Sequence, residues 1–246
     1  MIRRNDPLSF RDTLIAGTLF WMALLAPAVR LKASGHAVAA PGAGIEQTYG
    51  TAREPFWAEH GRLTMGFQFG YALENKIPHD LSHINMMIAE PQVGIIAWDS
   101  PRSRLPIKRF EIINEGILGS AYRPGGYLLG NTLLLRFSLK PIGRVVPFID
   151  ADSGPLCTTL NKNAVEITGH VQFLSQGGAG VQYFFKPQRA LVFEYRYFHM
   201  SNAGLQEPNR GFNGSMVTLG FCWLGRPHHL LAATVRRSPF HFLHLR

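Results

Sequence analysis

Residues 191–201 read Leu-Val-Phe-Glu-Tyr-Arg-Tyr-Phe-His-Met-Ser, and this stretch decides the fold. Its odd positions carry leucine and aromatic rings and then His199 and Ser201, whereas its even positions include Glu194 and Arg196. Residues i and i+2 of a strand share one face of a sheet. The stretch therefore predicts a strand with one largely apolar face and one face that carries charges.

The same alternation recurs in stretches of about ten residues, which is the length of a tilted membrane-spanning strand. We predict eight strands, over residues 62–71, 87–98, 107–121, 128–139, 143–152, 169–185, 190–200 and 213–224. Tight turns are expected at 140–141 and 186–189, and long connections at 72–86, 153–168 and 201–212. Short connections on one side and long ones on the other are typical of outer-membrane barrels, whose long loops face outward.

We therefore predict an all-β fold, an eight-stranded antiparallel transmembrane β-barrel with its apolar side chains toward lipid. Charged side chains inside so narrow a barrel have to pair, because a buried lone charge is costly. The residues concerned are Arg136, Asp150, Asp152, Glu194 and Arg196. The alternative is a soluble β-sandwich or a small ligand-carrying barrel, in which the apolar face points inward. An apparent export signal and the spanning length of the strands favour the membrane barrel.

That signal is predicted over residues 1–40. Arg3, Arg4 and Arg11 precede an apolar run at 14–29, and small residues follow at 33–40, with cleavage expected within 37–40. An uncleaved anchor helix is the alternative. We assign residues 41–60 to a linker, 61–224 to the barrel and 225–246 to a C-terminal tail.

Charge and cysteine content limit the partners. The net charge is +9 for the full sequence and +6 without residues 1–40, and this modest basic excess suits an anionic membrane surface or a phosphorylated lipid, and equally an ordinary basic protein. No basic-aromatic motif indicates a nucleic-acid partner. Cys157, expected in an outer loop, and Cys222, at the opposite end of the last strand, are predicted to be too far apart for a disulfide. The tail histidines (His228, His229, His241 and His244) lack the spacing of a metal site, so no metal is predicted.

His199 and Ser201 are expected side by side on the outward face, at the height of the lipid headgroups. A serine nucleophile needs a base within hydrogen-bond reach, and the oxyanion that forms needs hydrogen-bond donors. The Asn/Gly-rich loop 202–211 can supply those donors. One strand-loop-strand unit thus holds the parts of an esterase for an interfacial ester.

Residues 195–211 read Tyr-Arg-Tyr-x-His-x-Ser-Asn-Ala-Gly-Leu-x-x-Pro-Asn-x-Gly and resemble the lipid A 3-O-deacylase family of the PagL type. Over residues 61–194 the resemblance fades to a general pattern of strands. It implies an eight-stranded barrel in the bacterial cell outer membrane that hydrolyses an ester-linked acyl chain of lipid A. A Ser-His-acid triad would do this without a metal or other cofactor. The implied partner is lipid A or lipopolysaccharide, and a homodimer is left open.

Carried over by position, Ser201 corresponds to the nucleophile and His199 to the general base. The oxyanion and support residues fall on Asn202, Gly204 and Asn209. The acid of the family falls on Asn213, whose carbonyl can orient an imidazole, as in Cys-His-Asn proteases, without neutralising its charge. Glu207 is a substitute acid or a solvated loop charge, and we predict that Asn213 orients the histidine. The alternative function is a catalytically impaired structural or lipid-binding β-barrel.

Overall fold

A computed structural model describes residues 61–75, 82–100 and 104–227. Each strand pairs antiparallel with the next, and the last pairs with the first, so the sheet closes into a barrel. Within the described residues, no helix is long and apolar enough to cross a membrane. The predicted eight-stranded antiparallel barrel is confirmed. The strands are β1 Arg62–Glu74, β2 Asn85–Asp99, β3 Ile107–Arg123, β4 Gly125–Leu139, β5 Val145–Thr158, β6 Val171–Lys186, β7 Arg189–Ser201 and β8 Phe212–Pro227.

Several strands run beyond the ends predicted from alternation. β5 continues through Ser153, Gly154 and Pro155, and Cys157 pairs with Val171 of β6. The prediction that Cys157 lies in a loop is therefore wrong. Alternation fades in this segment, but the ladder between strands needs only backbone groups. Both Cys157 and Cys222 are free thiols, and the Cys222 side chain is buried inside the barrel.

The structure describes little of the segments that the sequence assigns outside the barrel. β8 reaches Pro227, so the first residues assigned to the tail belong to the barrel. The signal peptide, the linker and the rest of the tail lie outside the described residues.

The connections collect at two ends of the barrel. We call the end with the β1–β2, β3–β4, β5–β6 and β7–β8 connections the loop end, and the opposite end the turn end. The predicted turns between β4 and β5 and between β6 and β7 are present at the turn end, over 140–144 and 187–188. The β3–β4 connection is an exception to the predicted alternation of lengths, because Pro124 alone joins those strands at the loop end.

The outer surface of the barrel is apolar, as alternation predicts. Phe67, Phe193 and Leu219 are 47%, 52% and 62% exposed, although each lies in the middle of its strand. Large apolar patches of this kind do not remain in water on a soluble protein. The sidedness is therefore that of a membrane barrel and is the reverse of the soluble alternative.

The interior has three layers. Toward the loop end, an apolar cluster that includes Ile117, Phe198 and Met200 also takes in Leu160 and Ile167 from the β5–β6 connection. Toward the turn end, a second apolar cluster forms, comprising Ile96, Val146, Phe148, Phe184, Ala190, Val192, Cys222 and Leu224. Charged side chains fill the layer between the two clusters, so water is excluded from them on both sides.

Two arginines organise this charged layer. The guanidinium of Arg196, which is 0% exposed, lies 2.6 Å from a carboxylate oxygen of Glu115 and 2.6 Å from one of Glu194. Arg136 lies 2.9 Å from Asp150 and 3.3 Å from Glu194. The prediction that the interior charges pair with one another is confirmed. Glu194 joins the two arginines into one network that ties together strands from opposite sides of the barrel.

Replacing Arg196 by methionine should destabilise the barrel strongly. The substitution keeps an unbranched side chain but leaves Glu115 and Glu194 without their closest cation, and breaking a buried pair costs about 3–5 kcal/mol. The temperature at which the folded form disappears in a heat-modifiable gel assay should fall, and so should the midpoint of urea unfolding in lipid vesicles. Arg189→Met is the matched control, since Arg189 is exposed at the start of the same strand. Equal stability of the two variants would refute the structural importance of the network.

Candidate functional site

The site forms where β7 ends and β8 begins, at the loop end of the barrel. His199 is exposed and Ser201 is half-buried, whereas Met200 between them is only 1% exposed and points inward. Both polar side chains therefore lie on the outward face, as predicted. Across the ladders, His199 is directly opposite Asn213 of β8 on one side and Ser175 of β6 on the other.

Asn213 holds the imidazole of His199. The His199 Nδ1 and Asn213 Oδ1 atoms are 2.9 Å apart. An amide oxygen only accepts hydrogen bonds, so Nδ1 carries the proton and donates it. The Nε2 atom is then the unprotonated nitrogen, with a lone pair that can accept a proton. This tautomer is the one that a general base next to a serine requires.

Gly211 brings the His199 ring and Ser201 against the same short piece of backbone. Its φ of 65° is in the left-handed region, which favours glycine. A Cβ atom added there would lie 3.0 Å from His199 Cε1 and 3.1 Å from Ser201 Cβ. Within the described part of the chain, the Ser201 hydroxyl has no hydrogen-bond partner, His199 included. A nucleophile and its base are often this loosely arranged before substrate binds.

The loop that follows Ser201 is fixed from inside by Asn202, whose side chain is 1% exposed. Asn202 Nδ2 donates to the Gln206 carbonyl at 2.8 Å and to the Thr168 carbonyl at 3.1 Å. Its Oδ1 accepts from the Gly204 N–H at 2.9 Å. Thr168 belongs to the β5–β6 connection, so one buried side chain closes the turn and attaches it to a neighbouring loop. The Gly204 N–H is already used within this turn.

Asn209 and Glu207 occupy the outer part of the loop. Asn209 Oδ1 accepts a hydrogen bond from the Asn202 N–H at 3.2 Å. The Asn209 Nδ2 group donates to no residue that the structure describes, and the side chain is exposed. A Glu207 carboxylate oxygen accepts from the Asn209 N–H at 3.2 Å. The structure thus places Asn213 at the histidine and holds Glu207 within its own loop.

Sequence reasoning did not single out three polar neighbours of this site. Below Asn213 on the same face, Ser215 Oγ is 2.8 Å from Tyr195 OH and donates to Asn75 Oδ1 at 3.0 Å. On the other side, Ser175 faces His199 across the ladder. Alternation predicts that the two strand residues, Ser175 and Ser215, point outward, whereas Asn75 follows the end of β1. It does not predict the register that places them beside the histidine.

The described residues contain no group of three or more His, Cys, Asp or Glu side chains arranged to hold a metal ion. The tail histidines lie outside the described residues.

Comparison with known proteins identifies the relatives of this chain. A family model described as Lipid A 3-O-deacylase (PagL) matches residues 86–222, which is more than half of the sequence. No curated protein matches the sequence significantly.

Among solved structures, the outer membrane enzyme PagL is 17% identical with a TM-score of 0.47, and the match covers 62% of this chain and 97% of that one. Neisserial surface protein A is 14% identical with a TM-score of 0.47, covering 65% of this chain and 96% of that one. The N-terminal barrel domain of OprF from Pseudomonas aeruginosa is 11% identical with a TM-score of 0.33, covering 64% and 97%.

Removing the Asn213 side chain should allow neutral His199 to occupy both of its tautomers. With Asn213 in place, nitrogen NMR of the labelled protein at alkaline pH should show the proton of neutral His199 on Nδ1. In Asn213→Ala the ring loses its acceptor, and the signals should move to a mixture of the two tautomers. Glu207→Gln is the control and should leave the wild-type pattern, because among the described residues the Glu207 carboxylate accepts only from the N–H of Asn209 in its own loop. An unchanged tautomer in Asn213→Ala would show that another group orients the ring.

Proposed function

The chain belongs to the lipid A 3-O-deacylase (PagL) family, and we propose that it hydrolyses the ester-linked acyl chain at the 3-O position of lipid A. The protein is a barrel of the bacterial outer membrane. Its proposed catalytic groups are Ser201 as nucleophile, His199 as general base and Asn213 as the residue that orients the base. The substrate is lipid A within lipopolysaccharide.

One observation carries this proposal: the hydrogen-bonded pair of His199 and Asn213 lies next to Ser201 on the outward face of a membrane barrel. An active site on the outside of a barrel can be reached only by a substrate that lies in the membrane. The three residues lie near strand ends, at the level where the apolar wall meets the loops. Ester groups that join acyl chains to a sugar headgroup lie at this interface.

The first chemical step uses the tautomer that Asn213 sets. His199 Nε2 takes the proton of the Ser201 hydroxyl as Ser201 Oγ forms a bond to the ester carbonyl carbon. The C–O bond to the sugar then breaks, and the departing sugar oxygen takes the proton from His199. The acyl chain is left on Ser201. A water molecule, deprotonated by the same histidine, attacks the acyl carbon, releases the fatty acid and restores the serine hydroxyl.

The negative oxygen of each tetrahedral intermediate needs a donor. We assign this role to Asn209, because its Nδ2 group is exposed and makes no hydrogen bond to a described residue. Asn202 and Gly204 are assigned a supporting role. Their mutual hydrogen bond shapes the turn that carries the loop from Ser201 to Asn209.

An asparagine in the acid position has a defined chemical consequence. Asn213 keeps His199 in the productive tautomer, but it cannot offset the positive charge that the ring gains in the transition state. A carboxylate in this position would add the attraction of an opposite charge, which favours the protonated ring. We therefore expect catalysis that is slower than a carboxylate in this position would support.

The asparagine at position 213, where the family has an acid, favours a second candidate function. The protein would then be a lipid-binding barrel of this family in which catalysis is lost. The two functions differ in one measurable result, which is whether lipid A loses an acyl chain when the protein is present.

Ser201→Ala and His199→Ala should each abolish deacylation without preventing folding. Loss of a nucleophile or its base typically lowers turnover by at least about a thousand-fold. Lipid A from an expressing strain is analysed by mass spectrometry, and heat-modifiable gel migration reports folding. Ser120→Ala is the matched control, because Ser120 is an exposed outward serine on β3. Retained activity in Ser201→Ala would contradict the mechanism, and no acyl loss with the wild-type protein would favour the lipid-binding barrel.

Substitutions of Asn213 should distinguish two effects on catalysis, the orientation of the His199 ring and the stabilisation of its positive charge. Asn213→Ala loses the hydrogen bond that orients the ring, which is charge-assisted once the ring is protonated, and should lower activity by at least about ten-fold. Asn213→Glu should preserve or raise it, because a carboxylate stabilises the imidazolium. Glu207→Gln should be nearly neutral. Rates are measured on purified lipid A in detergent micelles at matched protein concentrations. Loss of activity in Glu207→Gln together with full activity in Asn213→Ala would place the acid in the loop instead.

A further inference from the structure

A pair of serines lies on the membrane-facing surface beside the proposed catalytic histidine. Ser153 of β5 and Ser175 of β6 are directly opposite each other, and Ser175 is also directly opposite His199. Both serines are exposed on the outward face. Facing residues of neighbouring strands have Cβ atoms about 5 Å apart, so Ser175 is in side-chain contact range of the His199 position.

The hydrogen bonds of this pair determine which of the two hydroxyl groups donates and which accepts. Ser153 Oγ donates to the Leu174 carbonyl at 3.1 Å. Its single hydrogen is then used, so in the 2.9 Å contact between the two hydroxyls Ser175 is the donor. Ser175 Oγ keeps free lone pairs but has no hydrogen left to give. Among the described residues nothing donates to it.

Ser175 Oγ can therefore accept one more hydrogen bond, and only from a donor on the membrane side. Hydrocarbon chains offer no donor, and an ester carbonyl is an acceptor and would be repelled. A hydroxyl group on an acyl chain is a donor of the right size. The neighbouring outward position on β6 is Gly177, which has no side chain to cover the serine from below.

Distance along the strands sets where that hydroxyl would lie on the chain. Ser201 is two residues beyond His199 on β7, so Ser175 is its diagonal neighbour, at about 7–8 Å. An acyl carbon bonded to Ser201 Oγ would bring only the first few atoms of its chain within reach of Ser175. The donor must lie close to the ester, as it does in a 3-hydroxyacyl chain.

We propose that Ser175, oriented by Ser153, is a specificity residue that recognises a hydroxyl near the ester of the acyl chain to be removed. This inference rests on the proposed esterase function and adds a preference for hydroxylated chains. Ser175 takes no part in the bond-breaking steps. Its contribution is one hydrogen bond that a chain without the hydroxyl cannot make.

The test compares two synthetic acylated glucosamine phosphates that differ only in the hydroxyl of the ester-linked chain. The ratio of their kcat/KM values is measured in detergent micelles. One hydrogen bond predicts a wild-type preference of roughly five- to ten-fold for the hydroxylated ester. Ser175→Ala should bring the ratio close to one, and Ser153→Ala should lower it in part, since it frees the Ser175 hydrogen. Ser175→Thr keeps the hydroxyl and should keep the preference, as should the remote control Ser120→Ala.

The outcomes separate this inference from the proposed function. If the wild-type protein cleaves both esters equally, the specificity role is wrong and the esterase function stands. The role is also wrong if Ser175→Ala slows both esters by the same factor and leaves the ratio unchanged. If the wild type cleaves neither ester, the proposed function and the specificity role fail together. If Ser175→Ala does not fold in the heat-modifiable gel assay, the kcat/KM ratio of Ser153→Ala tests the specificity role instead.

Discussion

Two guanidinium groups buried in the middle of the barrel constrain everything else in this structure. Arg196 and Arg136 bind carboxylates from several strands, and Glu194 connects them. A buried charge without a partner is far more costly than a buried apolar group. The network therefore fixes which face of β7 points inward. Since the period of a strand is two residues, it also fixes that Tyr195, Tyr197, His199 and Ser201 point outward.

This parity explains how a polar site can occupy the outside of a membrane protein. His199, Ser201, Asn213 and Ser175 lie on the face whose other members are leucine and aromatic side chains. They satisfy one another in part, through the His199–Asn213 and Ser153–Ser175 hydrogen bonds. Among the described residues, no partner is bonded to three groups of the proposed site, which are the Ser201 hydroxyl, His199 Nε2 and the Asn209 amide nitrogen, and Ser175 Oγ can still accept one hydrogen bond. These groups face the region from which a lipid substrate would arrive.

At the loop end of the barrel, hydrogen bonds and apolar packing hold the chain in place where the strands end. Asn202 is buried and bonds both its own turn and the Thr168 carbonyl of another loop. Leu160 and Ile167 from that second loop close the interior beneath it. A site at the edge of a barrel is thereby held by packing from inside, although its proposed reacting groups face outward. Precise placement of this kind is what the proposed nucleophile and base need.

The sequence by itself determined the eight strands, their sidedness, the pairing of the interior charges and the place of His199 and Ser201 together on the outward face. Each of these follows from a period of two residues and from the cost of an unpaired buried charge, which are local rules. Asn213 was predicted from the sequence as the partner of His199, and the structure supplies the 2.9 Å contact between them. Only the tertiary structure decided that β5 continues through Gly154 and Pro155 and that Ser175 lies opposite His199. Those depend on the register between strands, which is set when all eight ladders close at once. Ser175 and His199 are far apart in the chain, and no local pattern encodes the shear that brings them together.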